Sequence, residues 1–193
     1  MYTVNDFFSG CGGLSQGFKE AGFKIQVGID KDETFLKTFS HNFQDSKTMH
    51  LDLGNDDDLD IIPKADIIIA GPPCQGFSLT GPRNIDDSRN KLYLSVFKTL
   101  KLNNPKAFLV ENVRGLKTMW EGMVFKEILK KFESARYNVA ESLLNSADYG
   151  VPQIRHRVFI VGIRKDLEKK FEFPKVEFEK KNYISCEEAI GNL

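Results

Sequence analysis

The chain has 193 residues, 41% hydrophobic and 28% charged, enough for one domain with a substantial core and ordinary for a soluble globular protein. Its 27 basic and 27 acidic residues cancel, so composition alone gives no support for binding a polyanion. No apolar run is long enough to span a membrane, and the start lacks the regions of a signal peptide. The cysteines Cys11, Cys74 and Cys186 are odd in number, far apart and without CxxC spacing, which argues against a disulfide framework or structural zinc and suits a reducing cytoplasm.

The order reads as strand–helix pairs. A first strand is predicted over 2–7, followed by Gly10-Cys11-Gly12-Gly13 and a helix through about Ala21. A second strand over 23–29 and a helix over 31–42 come next, then a short third strand at 47–50 with an acidic loop after it. The β-branched run at 66–70 reads as a fourth, buried parallel strand. Leu92, Val96 and Leu100 recur at helical spacing within an amphipathic helix over 88–102. A fifth strand follows at 107–110 and a helix at 123–132. The runs 137–144 and 158–163 have no helix between them and should pair as an antiparallel hairpin. The expected fold class is α/β, a Rossmann-like, mostly parallel, doubly wound sheet with one antiparallel strand. Residues 1–165 are expected to form this one domain, which the motifs below imply is the catalytic and cofactor-binding part. Residues 166–193, rich in Lys, Glu and Phe, read as the start of a connection toward something further, and the chain looks cut off soon after Ser185-Cys186-Glu187-Glu188.

Polar residues gather at the strand ends. Asp6 closes strand one and Asp30 strand two, Asp52 follows strand three, Cys74 follows strand four, and Glu111 follows strand five. An open sheet lines such residues along one crevice. A lone cysteine is often a small buried thiol. Here Pro72 and Pro73 stop a central strand and stiffen the backbone before Cys74, a turn suited to aiming a nucleophile. The glycines of the Asp6-to-Gly13 loop allow a ligand close to the backbone before a helix. The dinucleotide fingerprint is incomplete, because its third glycine position holds Ser15. Asp30 lies 20 residues after Gly10, the separation of a ribose-binding acid. A carboxylate such as Asp6 beside this loop would repel a pyrophosphate and suits a nucleoside carrying a cation, which favours S-adenosyl-L-methionine over a nicotinamide dinucleotide. Glu111 ends an apolar run and, partly desolvated, should have a raised pKa fit to protonate a ring nitrogen; a helix cap is the plainer alternative. Gln153, Arg155 and Arg157 alternate at strand period and read either as a phosphate- or carbonyl-binding face or as a charged hairpin edge.

Together these residues resemble the catalytic part of a cytosine-C5 DNA methyltransferase. Asp6-Phe7-Phe8-Ser9-Gly10-Cys11-Gly12-Gly13 resembles that family's cofactor motif, and Gly71-Pro72-Pro73-Cys74-Gln75 its nucleophile motif. Asp86-Asp87-Ser88-Arg89-Asn90 resembles the opening of its next helix, Glu111-Asn112-Val113 its acidic motif, and Gln153-x-Arg155-x-Arg157 its arginine motif. The resemblance implies that Cys74 attacks C6 of a flipped cytosine, Glu111 holds and protonates N3, Arg157 binds O2 and Arg155 helps order the site. It implies a cofactor, S-adenosyl-L-methionine, held by Asp6, Phe8, Gly10, Gly12, Gly13, Asp30, Asp52 and Pro72, with Phe8 against the adenine, Asp30 on the ribose and Asp52 on the adenine amino group. Asp30 stands where the family commonly has a glutamate. The segment 75–87 would close over double-stranded DNA, and no metal is implied. A target-recognition region and C-terminal motifs would lie outside these residues, on a longer chain or a second polypeptide. The implied role is bacterial restriction–modification. The alternatives are methylation of cytosine in RNA, a non-catalytic remnant that binds cofactor or a partner, and, outside the family, a nicotinamide-dependent thiol oxidoreductase.

Overall fold

A computed structural model describes residues 1–55, 59–73 and 92–192. In chain order the elements are β1 (Thr3–Phe7), α1 (Gly13–Glu20), β2 (Lys24–Asp30), α2 (Glu33–Asn42), β3 (Lys47–His50), β4 (Ile67–Ala70), α3 (Tyr93–Asn103), β5 (Ala107–Val113), α4 (Gly115–Thr118), α5 (Met123–Ser134), β6 (Tyr137–Asn145), β7 (His156–Arg164) and α6 (Cys186–Ile190). The strands form one sheet in the order β3-β2-β1-β4-β5-β7-β6. β1 through β5 pair in parallel, and β7 runs against both β5 and β6, as the helix-free spacing of the last two strands predicts.

Alternation along the central strands divides the apolar residues between two cores. Ile68 and Ala70 join Phe7, Val96, Leu100, Phe108, Phe125, Ile128 and Phe132 on one side of the sheet. Ile67 and Ile69 join Val4, Phe39 and Phe43 on the other, beneath Leu14 and Phe18 of α1. This two-sided burial is why 66–70 reads as an unbroken apolar run. β2 contains an irregularity: Val4 pairs with Ile25 but Asn5 with Val27, leaving Gln26 as an extra residue. The bulge sends Ile25 to one core and Val27 and Ile29 to the other. Gln26 Nε2 secures it by donating to Asn5 Oδ1 at 3.2 Å and to Lys64 O at 3.1 Å.

Gly162 of β7 faces Phe108, whose ring packs on Phe132 at 4.6 Å and Tyr137 at 5.1 Å between centroids. A Cβ at position 162 would stand 2.1 Å from that ring. Gly162→Ala is therefore expected to lower stability by about 2 kcal/mol, the usual cost of overpacking a full core. Urea denaturation measures it, and a loss under about 0.5 kcal/mol would mean the aromatic cluster yields freely.

Most boundaries shift by a residue or two from expectation, and three of the differences have a clear physical reason. β5 continues past Val110 to Val113 because β7 extends back to His156 and prolongs the ladder, so Glu111 lies within a strand and not after it. β7 begins only at His156, which leaves Gln153 and Arg155 on the preceding connection and removes the strand-period argument for them. α2 begins at Glu33 because Asp32 caps it, accepting from the backbone of Thr34 and Phe35. The start predicted for α3 at residues 88–91 lies outside the described residues; the helix is described from Tyr93. Among the described residues no helix is long and apolar enough to cross a membrane.

Candidate active site

The strand order reverses between β1 and β4, the place where an open sheet opens a crevice at its carboxyl edge. A cleft of about 860 Å³ lies there. Its walls are the ends of successive strands: Phe8 and Gly10 after β1, Asp30 to Asp32 after β2, Leu51 to Asn55 after β3, Gly71 and Pro73 after β4, and the first turn of α3. That volume lies within the usual range for a small-molecule site. Asp30 organises the rim. Its Oδ2 accepts from Gly10 N at 2.9 Å and its Oδ1 from Asp32 N at 3.0 Å. Each oxygen keeps capacity for a further donor, which fits a ligand presenting vicinal hydroxyls. Asp52 Oδ1 similarly accepts from Gly54 N at 2.9 Å. Phe8 is held at a φ of 56°, an uncommon conformation for a bulky residue and one that marks the loop as over-determined by its surroundings.

Four residues expected around the cofactor are not in the cleft walls. Gly12 serves packing: its φ is 94°, and a Cβ would meet the Phe43 ring at 2.2 Å. Gly13 opens α1, and Pro72 is buried behind the turn after β4. Asp6 lies beneath the loop, 1% exposed, with Oδ2 accepting from Ser15 Oγ at 2.7 Å and Oδ1 without a hydrogen-bond partner among the described residues. Burial pushes its carboxyl from 3.8 up to about 7, partly offset by the Ser15 hydrogen bonds.

Beyond β4 the edge continues into an acid–arginine cluster. Glu111 pairs across the ladder with Phe159, and Val113 with Arg157, so Glu111 and Arg157 are diagonal neighbours on one face. Arg157 Nε lies 2.9 Å from Glu111 Oε1, and Arg155 Nη2 lies 4.0 Å from the same oxygen. Burial raises the Glu111 pKa, and Arg157 and then Arg155 act against that rise. The acid thus sits between two opposed influences in a partly dry setting, as the sequence leads one to expect. A Cβ on Gly71 would stand 4.0 Å from Glu111 Oε2, so the carboxyl adjoins the Gly71-Pro72-Pro73 turn. Cys74, Gln75 and the Asp86–Asn90 motif lie outside the described residues.

Sequence reasoning gave no role to Asn112, which is 5% exposed and joins these parts. Its Nδ2 donates to Pro72 O at 3.4 Å and its Oδ1 accepts from Val113 N at 2.7 Å. An amide in an apolar strand beside an acid was the available signal, since buried amides require partners. Ser15 was noticed only as a missing glycine, although it is the partner of Asp6.

Residues 2–193 match the family model described as C-5 cytosine-specific DNA methylase. The chain is 41% identical to the Type II methyltransferase M.NgoPII of Neisseria gonorrhoeae, over 98% of this chain and 56% of that protein. It is 38% identical to M.BspRI of Lysinibacillus sphaericus, over 100% of this chain and 52% of the relative. It thus spans about half the length of the curated relatives it matches. Among solved structures it resembles a putative DNA modification methyltransferase encoded within a prophage of E. coli, with a TM-score of 0.82 at 30% identity over 100% of this chain and 55% of that one. The S. pombe Dnmt2 methyltransferase, at 23% identity and a TM-score of 0.71 over 89% of this chain and 51% of that one, shares the fold. With that family model matched across nearly all its residues, the chain belongs to the C-5 cytosine-specific DNA methylase family.

Proposed function

We propose that this chain is the catalytic and cofactor-binding part of an enzyme that transfers a methyl group from S-adenosyl-L-methionine to C5 of a cytosine in double-stranded DNA. Residues 1–165 carry that part, and 166–193 begin a connection to a target-recognition region on the same or a second polypeptide. The observation that carries the reading is the Glu111–Arg157 pair, 2.9 Å apart, beside the turn that leads to Cys74. Stacked duplex hides both faces of the base, so the cytosine must be flipped to reach this edge. The Cys74 thiolate then bonds to C6 and pushes electron density to C5. Glu111, kept above its ordinary pKa by burial, holds a proton at N3 and offsets charge in the ring. Arg157 binds O2, with Arg155 ordering the group. Once C5 has taken the methyl group, its proton passes to water, the freed electron pair restores the C5–C6 double bond, and the thiolate leaves C6.

The cleft suits S-adenosylmethionine, which when bound supplies an electrophilic methyl on a sulfonium. Asp30 would hold the ribose hydroxyls, Phe8 would stack on the adenine and Asp52 would accept from its amino group, all three being in the cleft walls. Gly10 would give close backbone approach. Asp6, Gly12, Gly13 and Pro72 support the loop and the turn from behind. The Type II names of the relatives favour a restriction–modification role.

Calorimetric titration of S-adenosylmethionine into the 193-residue chain tests the reading, with NAD as the competing probe. Binding of the former only, weakened at least about tenfold in Asp30→Ala by loss of charge-assisted hydrogen bonds, is expected. Binding of NAD in its place would overturn the assignment.

A further inference from the structure

The 3₁₀ turn Ser146–Tyr149 and the connection after it lead from β6 to Arg155, and the backbone there is fixed to an unusual degree. Asn145, 7% exposed, uses its whole amide: Oδ1 accepts from Arg155 N at 3.1 Å, while Nδ2 donates to Asp148 Oδ1 at 3.0 Å and to the Tyr183 hydroxyl at 3.2 Å. Ser146 N donates to Arg155 O at 3.0 Å. Both main-chain polar groups of Arg155 are therefore held from across the loop. The Tyr183 hydroxyl in turn donates to Asp148 Oδ1. The segment that carries Tyr183 is itself tied to the same place. Asp148 O accepts from Glu177 N at 3.1 Å and from Phe178 N at 3.0 Å, and the Phe178 ring lies 3.1 Å from where a Cβ on Gly150 would stand.

Among the described residues, Arg155 has little else to fix it. Its side chain is 47% exposed and its guanidinium reaches Glu111 only at 4.0 Å, the outer limit of an ion pair, whereas Arg157 meets Glu111 directly from within β7. A long, half-exposed side chain ordered by one weak contact loses much of its rotamer freedom for little gain, so its placement depends on its backbone anchor. We propose that Tyr183, acting through Asp148 and Asn145, is a positioning residue that holds Arg155 beside Glu111, so that the segment after β7 sets how the arginine pair meets the acid. Its functional meaning rests on the reading of Glu111 and the arginines as the base-binding group; its geometry does not.

Tyr183→Phe removes one hydroxyl and keeps the ring, and Asn145→Ala removes the central amide. NMR titration of the Glu111 side-chain carboxyl, assigned with Glu111→Gln, is the readout in the 193-residue chain, together with amide hydrogen exchange. Arg155 lowers the Glu111 pKa, so releasing it should move the titration midpoint upward by a few tenths of a pH unit. The Arg155 amide should exchange about tenfold faster in Tyr183→Phe, and faster still in Asn145→Ala, with exchange in β5 and β7 unchanged. A Tyr183→Phe protein with wild-type titration and wild-type exchange overturns the proposal. So does faster exchange spread through β6 and β7, which would mean general loosening. Neither readout needs cofactor or DNA, so failure to bind S-adenosylmethionine would defeat the reading of function without touching this one.

Discussion

Between pH 4 and 7 this protein is expected to lose stability through a single side chain, on the order of 4 kcal/mol in total. Asp6 is buried under the loop after β1, and burial pushes its carboxyl up to about 7 in the fold from 3.8 in its ordinary state. Across that window the folded chain holds a proton that the unfolded chain has already released. Stability then falls as pH rises and levels off above about 7. Asp30 across the loop acts in the same direction, while the Ser15 hydroxyl bonds the charged form and opposes it. Asp66, held down to about 2 by Lys106 and the Thr3 backbone, has its effect below the window. Glu111 adds a change of the same sign, so the comparison must be with Asp6→Asn. Urea midpoints at pH 5 and pH 8 should differ by much less in that variant than in the parent. Equal differences in the two proteins would mean that Asp6 is already ionised at pH 5.

Glu111→Gln is expected to slow methyl transfer about 10²-fold or more, the usual weight of a proton held in place during the chemical step. Glutamine keeps the shape and can still face Arg157, but it cannot give N3 a proton. The carboxyl is suited to the task because burial favours its neutral form while Arg157, at 2.9 Å, holds it in place and keeps the charged form accessible. Initial rates of methyl incorporation into DNA by a complete enzyme containing this chain measure the effect. A change of only a few-fold would reduce Glu111 to an orienting group. Cys74→Ser in the same enzyme should form no covalent adduct with 5-fluorocytosine DNA, whereas Glu111→Gln should form it slowly. That contrast separates bond formation from charge control.

The doubly wound sheet was legible because its signals are local: unbroken apolar strands such as 66–70, glycines after β1, and the lack of a helix between β6 and β7. Asp30 and Asp52, which follow strand ends into the cleft, were legible for the same reason, since topology places them before any side chain is known. The missed features depend on distant partners. Nothing near Val110 announces that β5 continues, because the ladder is prolonged by β7, whose partners lie 44 to 56 residues further on. The extra residue Gln26 depends on Asn5 and Lys64 in the same way. Asp6 was read as a charge facing a ligand, and only packing reveals that it lies beneath the loop. Asn145 and Tyr183, 38 residues apart, had no pattern to join them.

The single reversed strand has a consequence for the order in which the protein can assemble. Among the described residues, the walls of the cleft come from the loops after β1 to β4, the first turn of α2 and the start of α3, all present once the first hundred residues exist. The acid–arginine pair has to wait for β7, which arrives last and must insert between β5 and β6. A nascent chain would therefore have the walls of the cleft first and the acid–arginine pair last, so the two halves of the edge come together only when the sheet is whole.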